Sequence, residues 1–366
     1  MTANNDGEKA FKGQTRCLIM LSWKKHKSLI LSVSFSVIVL VFLLSKYSLV
    51  NAFMSMTNVS LELVVKYLLA VLVIVTLGVF RWDVVLRSQH VHIPFHRLFA
   101  YRLIGNAMSY LTPGPRVGGE PFQAAAMRKE HISFTQSLSS IFIDRTVELS
   151  TSGIFFFIGI IVGFAVIPSD WRTKTVLLLT GFLLLVFIFF FFRQVLRGKT
   201  VFHRMFRFFG LHKFKRFEQY EQKILDFEFY IIKFYKKDRI HFLITLAISF
   251  LTWVAMFLEY YFLLQMFGIT ANISVIFLIV SFVGFAYLLP LPMALGSLEA
   301  GQVSAFSLLR NSADTGIGVS LIIRAKDIFI SMIGVAFMLI YGITFKNTAV
   351  ERKEERAEYI RRITEK

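Results

Sequence analysis

Cysteine is nearly absent from this chain. Cys17 is the only one in 366 residues, which excludes an internal disulfide and any thiolate metal cluster. Charge is scarce as well, at 17% of residues, and acids are outnumbered by bases, 23 to 41. No Gly-x4-Gly-Lys-[Ser/Thr] phosphate loop occurs, so no ATP-driven step is expected. His90, His92 and His96 lie together, but in a basic stretch without a paired acid to orient an imidazole ligand. Neither a metal nor a cofactor is expected.

What the chain has instead is apolar bulk, 55% hydrophobic and 16% aromatic. A soluble domain of this length carries more charge, so the composition implies an all-α polytopic membrane protein. The formal net charge is +18. Because the bases lie between apolar runs, they suit anionic lipid at a membrane surface rather than nucleic acid.

Taken in order, residues 1–27 form a basic N-terminus and residues 28–45 a first span. Residues 60–80 form a second span, in which Glu62 and Lys66 pair one turn apart. Residues 81–97 read as a basic loop. Residues 98–111 are too short to cross and run into Pro113, and residues 122–131 are a second short arm. Together, residues 98–131 predict a re-entrant hairpin. Residues 132–168 and 175–192 are crossings. Residues 193–239 predict basic amphipathic helices on the membrane surface. Residues 240–267 cross again, and residues 273–310 form a second hairpin. Residues 316–345 are the last span and 346–366 a charged tail. The sum is about six full spans plus two re-entrant hairpins in a single domain, residues 28–345. The distribution of Lys and Arg places both termini in the cytoplasm of a cell-membrane protein.

The two hairpins carry related sequence. Tyr110, Leu111, Pro113 and Pro115 precede Gly118, Gly119 and Glu120, and Tyr287, Leu288, Pro290 and Pro292 precede Gly296 and Glu299. The interval from Glu120 to Arg145 equals the interval from Glu299 to Arg324. At an offset of 179, Gln123 meets Gln302, Arg145 meets Arg324 and Glu148 meets Asp327. Similar sequence with opposite topology is the mark of an inverted repeat, whose substrate site lies at the midplane where broken helices meet. Backbone freed at Pro113, Pro115, Pro290 and Pro292 must line a cavity rather than face lipid. Pro121 fits a first helical turn and Ser297 an N-cap. Two helix N-termini aimed at one place favour an anion such as phosphate.

The candidate substrate-binding set is therefore Arg116, Gly118, Gly119, Glu120, Arg145, Glu148, Ser297, Glu299, Arg324 and Asp327. Arg116, in the break itself, is expected to make the closest contact. Arg145 and Arg324 are expected to pair with acids of the opposite loop, since a lone Arg at the bilayer centre is costly. Glu259 reads as interfacial.

Pro113, Gly114, Pro115, Arg116, Val117, Gly118, Gly119, Glu120 and Pro121, then Asp144 and Arg145, then Gly296 to Glu299 and Arg324, resemble the flippase-like family. That family includes the transmembrane domain of bacterial lysylphosphatidylglycerol synthase/flippase proteins. The second motif departs from the usual Pro-Gly-Gly-rich form and reads Pro290, Leu291, Pro292, Met293, Ala294, Leu295, Gly296. The resemblance covers residues 20–345. It implies movement of an anionic phospholipid or polyprenyl-phosphate-type lipid between leaflets, by a stand-alone form without the synthase domain, either as a single chain or a homo-oligomer. The protein is expected not to be an enzyme. The alternatives are an integral membrane enzyme on a lipid phosphate or a non-transporting partner in lipid modification.

Overall fold

The computed structural model describes residues 38, 42, 45, 49–54, 56–111, 118–166, 171–198, 200–208, 215–270, 272–288, 291–309 and 312–343. The expected N-terminal segment, nearly all of the first span, the charged tail, and Pro113, Pro115, Arg116 and Pro290 lie outside the described residues. Among those described, the ordered elements are helices, as the apolar periods require, with no strand.

The elements in order are α1 (Leu49–Met54), α2 (Leu61–Ser88), α3 (Phe95–Leu111), α4 (Glu120–Ala126) with a 3-10 turn (Met127–Glu130), and α5 (Phe134–Val166). Then come α6 (Trp171–Leu196), α7 (Val201–Phe208), α8 (Lys215–Lys236), α9 (Arg239–Met266), α10 (Ile273–Leu288), α11 (Ser297–Leu308) and α12 (Ala313–Ile340). Local chemistry sets several of these ends. Ser60 caps α2 by accepting from the Leu63 amide at 3.2 Å, and Ser312 caps α12 by accepting from Asp314 at 3.2 Å. Pro121 sits in the first turn of α4, where its missing N–H costs nothing. Lys66 donates to Glu62 at 2.5 Å, one turn apart as expected.

Helix boundaries extend the repeat beyond the motifs. Leu61 and Arg239 open α2 and α9, and both helices have 28 residues. Phe95 and Ile273 open α3 and α10 at the same sequence offset as that first pair. Phe134 and Ala313, which open α5 and α12, are displaced from that register by a single position. The repeating unit is thus α2 to α5, matched by α9 to α12, and α6, α7 and α8 are the insert between copies.

The copies interlock reciprocally. α2 lies along α9, α12 of the second copy packs on α3 of the first, and α5 of the first packs on α10 of the second. Small residues bring these backbones together. A Cβ on Gly334 of α12 would lie 2.2 Å from the Leu103 carbonyl of α3, and one on Gly159 of α5 would lie 2.1 Å from Ser281 Oγ of α10. Leu103 and Ser281 are themselves equivalent in the register that aligns α3 with α10, so the same repeat position is crossed by a glycine in both directions.

Two helices among the described residues are long and apolar enough to cross a membrane, Leu61–Ser88 and Arg239–Met266. Their outer faces expose large apolar side chains, among them Leu68, Leu72, Leu243 and Leu251. Lipid satisfies such a surface, whereas water does not. The first difference from expectation lies here: α2 does not stop at Phe80 but continues to Ser88. Arg81 is therefore not a loop residue. It is helical and 2% exposed.

The insert packs onto the first copy through a shared apolar cluster. Phe234, Tyr235 and Ile231 of α8 pack with Val195, Val85 and Ile143. α7 is held at its N-terminus by Glu228 of α8, which accepts from the amides of Phe202 at 2.5 Å and His203 at 3.2 Å. The outer face of α7 presents Arg204, Arg207 and Phe208 to the surroundings, the amphipathic pattern expected there.

Candidate functional site

The first-turn glutamate of each short helix, Glu120 of α4 and Glu299 of α11, meets an arginine from the next long helix, and in both cases the partner belongs to the same half. Arg324 Nη2 lies 2.6 Å from Glu299 Oε1. Arg145 Nε lies 3.8 Å from Glu120 Oε1. The shared Glu-to-Arg interval thus marks a contact, and the expected pairing with acids of the opposite loop gives way to pairing within each half. The reason is geometric: the short second arm turns back directly onto the helix that follows it, placing its first-turn Glu beside that helix.

The second break is organised by Arg324. Its guanidinium donates to the Met293 carbonyl at 3.0 Å and the Ala294 carbonyl at 3.3 Å. Met293 and Ala294 both hold positive φ, 54° and 50°, a strained region for residues with a Cβ. The turn aims both carbonyls at one cation, and the charge-assisted bonds offset the strain. Glu299 is fully buried; its second oxygen accepts from the Gly296 amide at 2.9 Å. Gly296 is the N-cap of α11, so Ser297 is not. The Ser297 hydroxyl instead donates to the Ala294 carbonyl at 3.1 Å and closes the turn. The only described link from Arg324 to the first half is Tyr110, whose hydroxyl accepts from Arg324 Nη1 at 3.4 Å.

Arg145 belongs to a larger charge network. Arg81 of α2 bonds Asp144 at 2.6 Å and Glu148 at 2.7 Å on α5. Arg102 of α3 also pairs with Asp144, and reaches Glu148 at 3.5 Å. Arg145 bonds Glu148 at 3.0 Å and the Asn106 side-chain carbonyl at 3.3 Å. Counting Glu120, three guanidinium groups face three carboxylates among the described residues. A balanced set is what allows so much charge to be buried, because the desolvation of the ions is offset by their mutual pairing. Asp144 is fully buried, while the Glu148 side chain is 38% exposed and that of Arg145 23%. The network therefore has a closed end at Asp144 and an open edge at Glu148 and Arg145.

Glu148 and Asp327, equivalent in the alignment, do different work. Asp327 lies 3.8 Å from Lys326, which bonds Glu259 of α9 at 2.6 Å. Glu259 is 3% exposed, so it is a buried ion-pair partner, not an interfacial residue. Gly119 is buried and caps α4. Its amide donates to Ser109 Oγ at 3.0 Å, and a Cβ there would lie 1.8 Å from the Gly105 carbonyl. Its N–H is spent inside the hairpin rather than offered to an anion. Gly118 stands at the described edge of the break, on the side of Arg116, which lies outside the described residues.

Several members were not in the candidate set. Arg81 reads as a loop residue when the span is closed at Phe80. Arg102 reads as a residue of a short arm, and Lys326 as a neighbour of Asp327. Their common signal is an ionisable residue within a helical apolar stretch, which marks an internal partner wherever it occurs.

Among solved structures, none matches this chain. An archaeal relative described as "UPF0104 membrane protein", from Methanothermobacter thermautotrophicus, is 24% identical over 293 residues, 76% of this chain and 86% of the relative. The family model described as "Lysylphosphatidylglycerol synthase TM region" matches residues 29–334, which takes in both hairpin regions, the charge network and the Arg324 clamp. The chain is a helical membrane protein and belongs to the lysylphosphatidylglycerol synthase TM region family.

Proposed function

We propose that this protein moves a lipid with an anionic phosphate head between the leaflets of the cell membrane, without a covalent step. The observation that carries the reading is the repeated contact of Arg145 with Glu120 and Arg324 with Glu299. It ties each short arm to a long helix at the same point of two interlocked copies. In the proposed arrangement the two hairpins enter from opposite sides, with both termini cytoplasmic. Access alternates as one copy rocks against the other. The head group, a phospholipid or polyprenyl phosphate, meets Arg116 and the open edge at Arg145, while its tails stay in the bilayer. The basic face of α7 rests on anionic lipid.

Leaflet exchange of a fluorescent anionic phospholipid in proteoliposomes tests this. Arg116→Ala and Glu120→Gln are each expected to slow exchange at least about tenfold, the loss of one charge-assisted contact. Exchange at the wild-type rate in both variants would sink the reading. Cysteines placed at Gly118 and Gly296, in a Cys17→Ser background, should react with impermeant reagents added from opposite sides. Labelling of both from one side removes the inverted arrangement.

A further inference from the structure

A second charge cluster lies away from the open edge at Arg145 and Glu148. Glu259 of α9 is 3% exposed. Lys326 of α12 bonds it at 2.6 Å and has Asp327 of its own helix at 3.8 Å. The buried hydroxyl of Tyr67 on α2 is within electrostatic reach of Glu259, Lys326 and Asp327, yet completes no hydrogen bond. Other charges are engaged elsewhere. Lys66, next to Tyr67 in the chain, turns to Glu62 on the exposed face, and Arg324 is bound to Glu299. The Arg81 network meets α9 at Ser249, ten residues before Glu259, which is about 15 Å along a helix. α8 joins α9 at Arg239, farther still. α1 and α10 carry no charge along Leu49–Met54 and Ile273–Leu288.

The Glu259–Lys326 pair bridges two packed units. α9 lies along α2, and α12 lies along α3 and α11, while α9 and α12 share little packing with each other among the described residues. In the first copy, Arg81 crosses between helices that do pack, and its planar fork is held by Asp144 and Glu148 together. Lys326 differs in kind. An ammonium is a compact point charge on a flexible stem, and here one carboxylate stands on each side of the joint. A proton on Glu259 cancels its pull on Lys326. The ammonium then keeps Asp327, and α12 is released from α9 without a stranded cation. A buried carboxyl without its cation is stable when neutral, so proton uptake and release of the joint occur together. The Tyr67 hydroxyl can donate to the ionised carboxyl or accept from the protonated one.

Water has a route to this cluster. An open cleft of about 590 Å³ is lined by Thr57, Ser60, Leu63, Gln265 and Thr270, at the ends of α2 and α9 marked by Ser60 and Met266. Leu63 precedes Tyr67 by one turn of α2 and packs against the same apolar cluster. Gln265 follows Glu259 by six residues of α9, about 9 Å along the axis.

We propose that Glu259 binds an exchangeable proton and that this proton drives translocation. Water in the cleft gives the proton to a Glu259 carboxylate oxygen, with the Tyr67 hydroxyl as relay. Lys326 shifts to Asp327, and α12 parts from α9. In the other access state the ammonium returns to Glu259 and the proton leaves to water, so one proton is taken up and one released per cycle. The inference rests on the lipid-translocation reading above and adds its driving force.

Proteoliposomes of the full-length chain, loaded with a fluorescent anionic phospholipid, test it under a pH difference of about one unit, with potassium and valinomycin clamping the voltage. At one proton per lipid, the wild type is expected to build a leaflet ratio approaching about tenfold. Nigericin should collapse that ratio. Glu259→Gln, which mimics the protonated carboxyl, is expected to leave the ratio at unity under the same gradient. Tyr67→Phe deletes a hydroxyl that completes no hydrogen bond, so it should melt as wild type yet build the ratio at least about threefold more slowly. Wild-type exchange with the ratio at unity overturns proton coupling and leaves lipid translocation standing. Absence of any exchange overturns both. A wild-type ratio in Glu259→Gln assigns the ion pair to the fold and overturns the proposal. Where Glu259→Gln does not fold, Tyr67→Phe decides, and a ratio built at the wild-type rate overturns the proposal.

Discussion

The two copies of the repeat share helix order and interlocking geometry, yet they handle charge in opposite ways. Among the described residues, the first sets three arginines against three acids in one network from α2 to α4, with Arg81, Arg102 and Asp144 buried and Glu120, Arg145 and Glu148 half-buried. Among the described residues, the second uses a carbonyl clamp around Arg324 and a Lys326–Glu259 pair supported by Asp327. One pair of positions even reverses sign. Arg81 on α2 bonds Glu148 on α5, while Glu259 on α9, the equivalent of Arg81, bonds Lys326 on α12, one position before the equivalent of Glu148. The lesson is that the repeat preserves where an ion pair crosses between these helices, not which side carries which charge. Coulomb attraction is indifferent to that exchange, so either assignment of sign ties the same pair of helices together.

The comparison breaks most sharply at Asp144. Asp144→Asn leaves Arg81 and Arg102 sharing Glu148 alone, and a destabilisation of about 3–5 kcal/mol is expected from the uncompensated buried charge. Glu259→Gln should cost less, about 1–2 kcal/mol, because Lys326 keeps Asp327 beside it. Thermal unfolding of the purified variants in one detergent ranks them. Equal losses would show that the first-half network has no special interdependence.

A smaller effect sharpens the reciprocal crossings. Gly334→Ala drives a Cβ into a backbone carbonyl, whereas Gly159→Ala meets the hydroxyl of Ser281, which can rotate away. The first is expected to cost about 1–3 kcal/mol and the second under about 1 kcal/mol. The same melting assay checks this, and a reversed order would mean that α12, not α5, sits loosely on its partner.

The smallest effect belongs to the insert, which has no counterpart in either copy. Burial pushes the Glu228 carboxyl above its ordinary 4.5, against the opposing pull of the Phe202 and His203 amides. The folded state therefore binds this proton more tightly than the unfolded chain does. Its stabilising contribution is full below the ordinary carboxylate value and is lost as pH rises through the folded value. Glu228→Gln should flatten the pH dependence of melting temperature above pH 4.5, and an unchanged pH profile would remove Glu228 as its source.

The sequence by itself determined the membrane character, the helical class, the paired breaks with a basic insert between them, and the two equal Glu-to-Arg intervals. These are legible because apolar periodicity, proline and glycine act locally, and because a matched spacing needs no coordinates to be counted. The tertiary structure decided which charges meet. Arg81 and Arg102 join Asp144 only because α2 lies against α5 and the Arg102 side chain reaches Asp144 from α3, and Glu259 is paired only because α12 brings Lys326 to it. Ser297 lost its expected cap to Gly296 because Glu299 turns back on that amide. Such choices depend on contacts between residues far apart in the chain, where burial makes each unpaired charge expensive, and no local pattern records them.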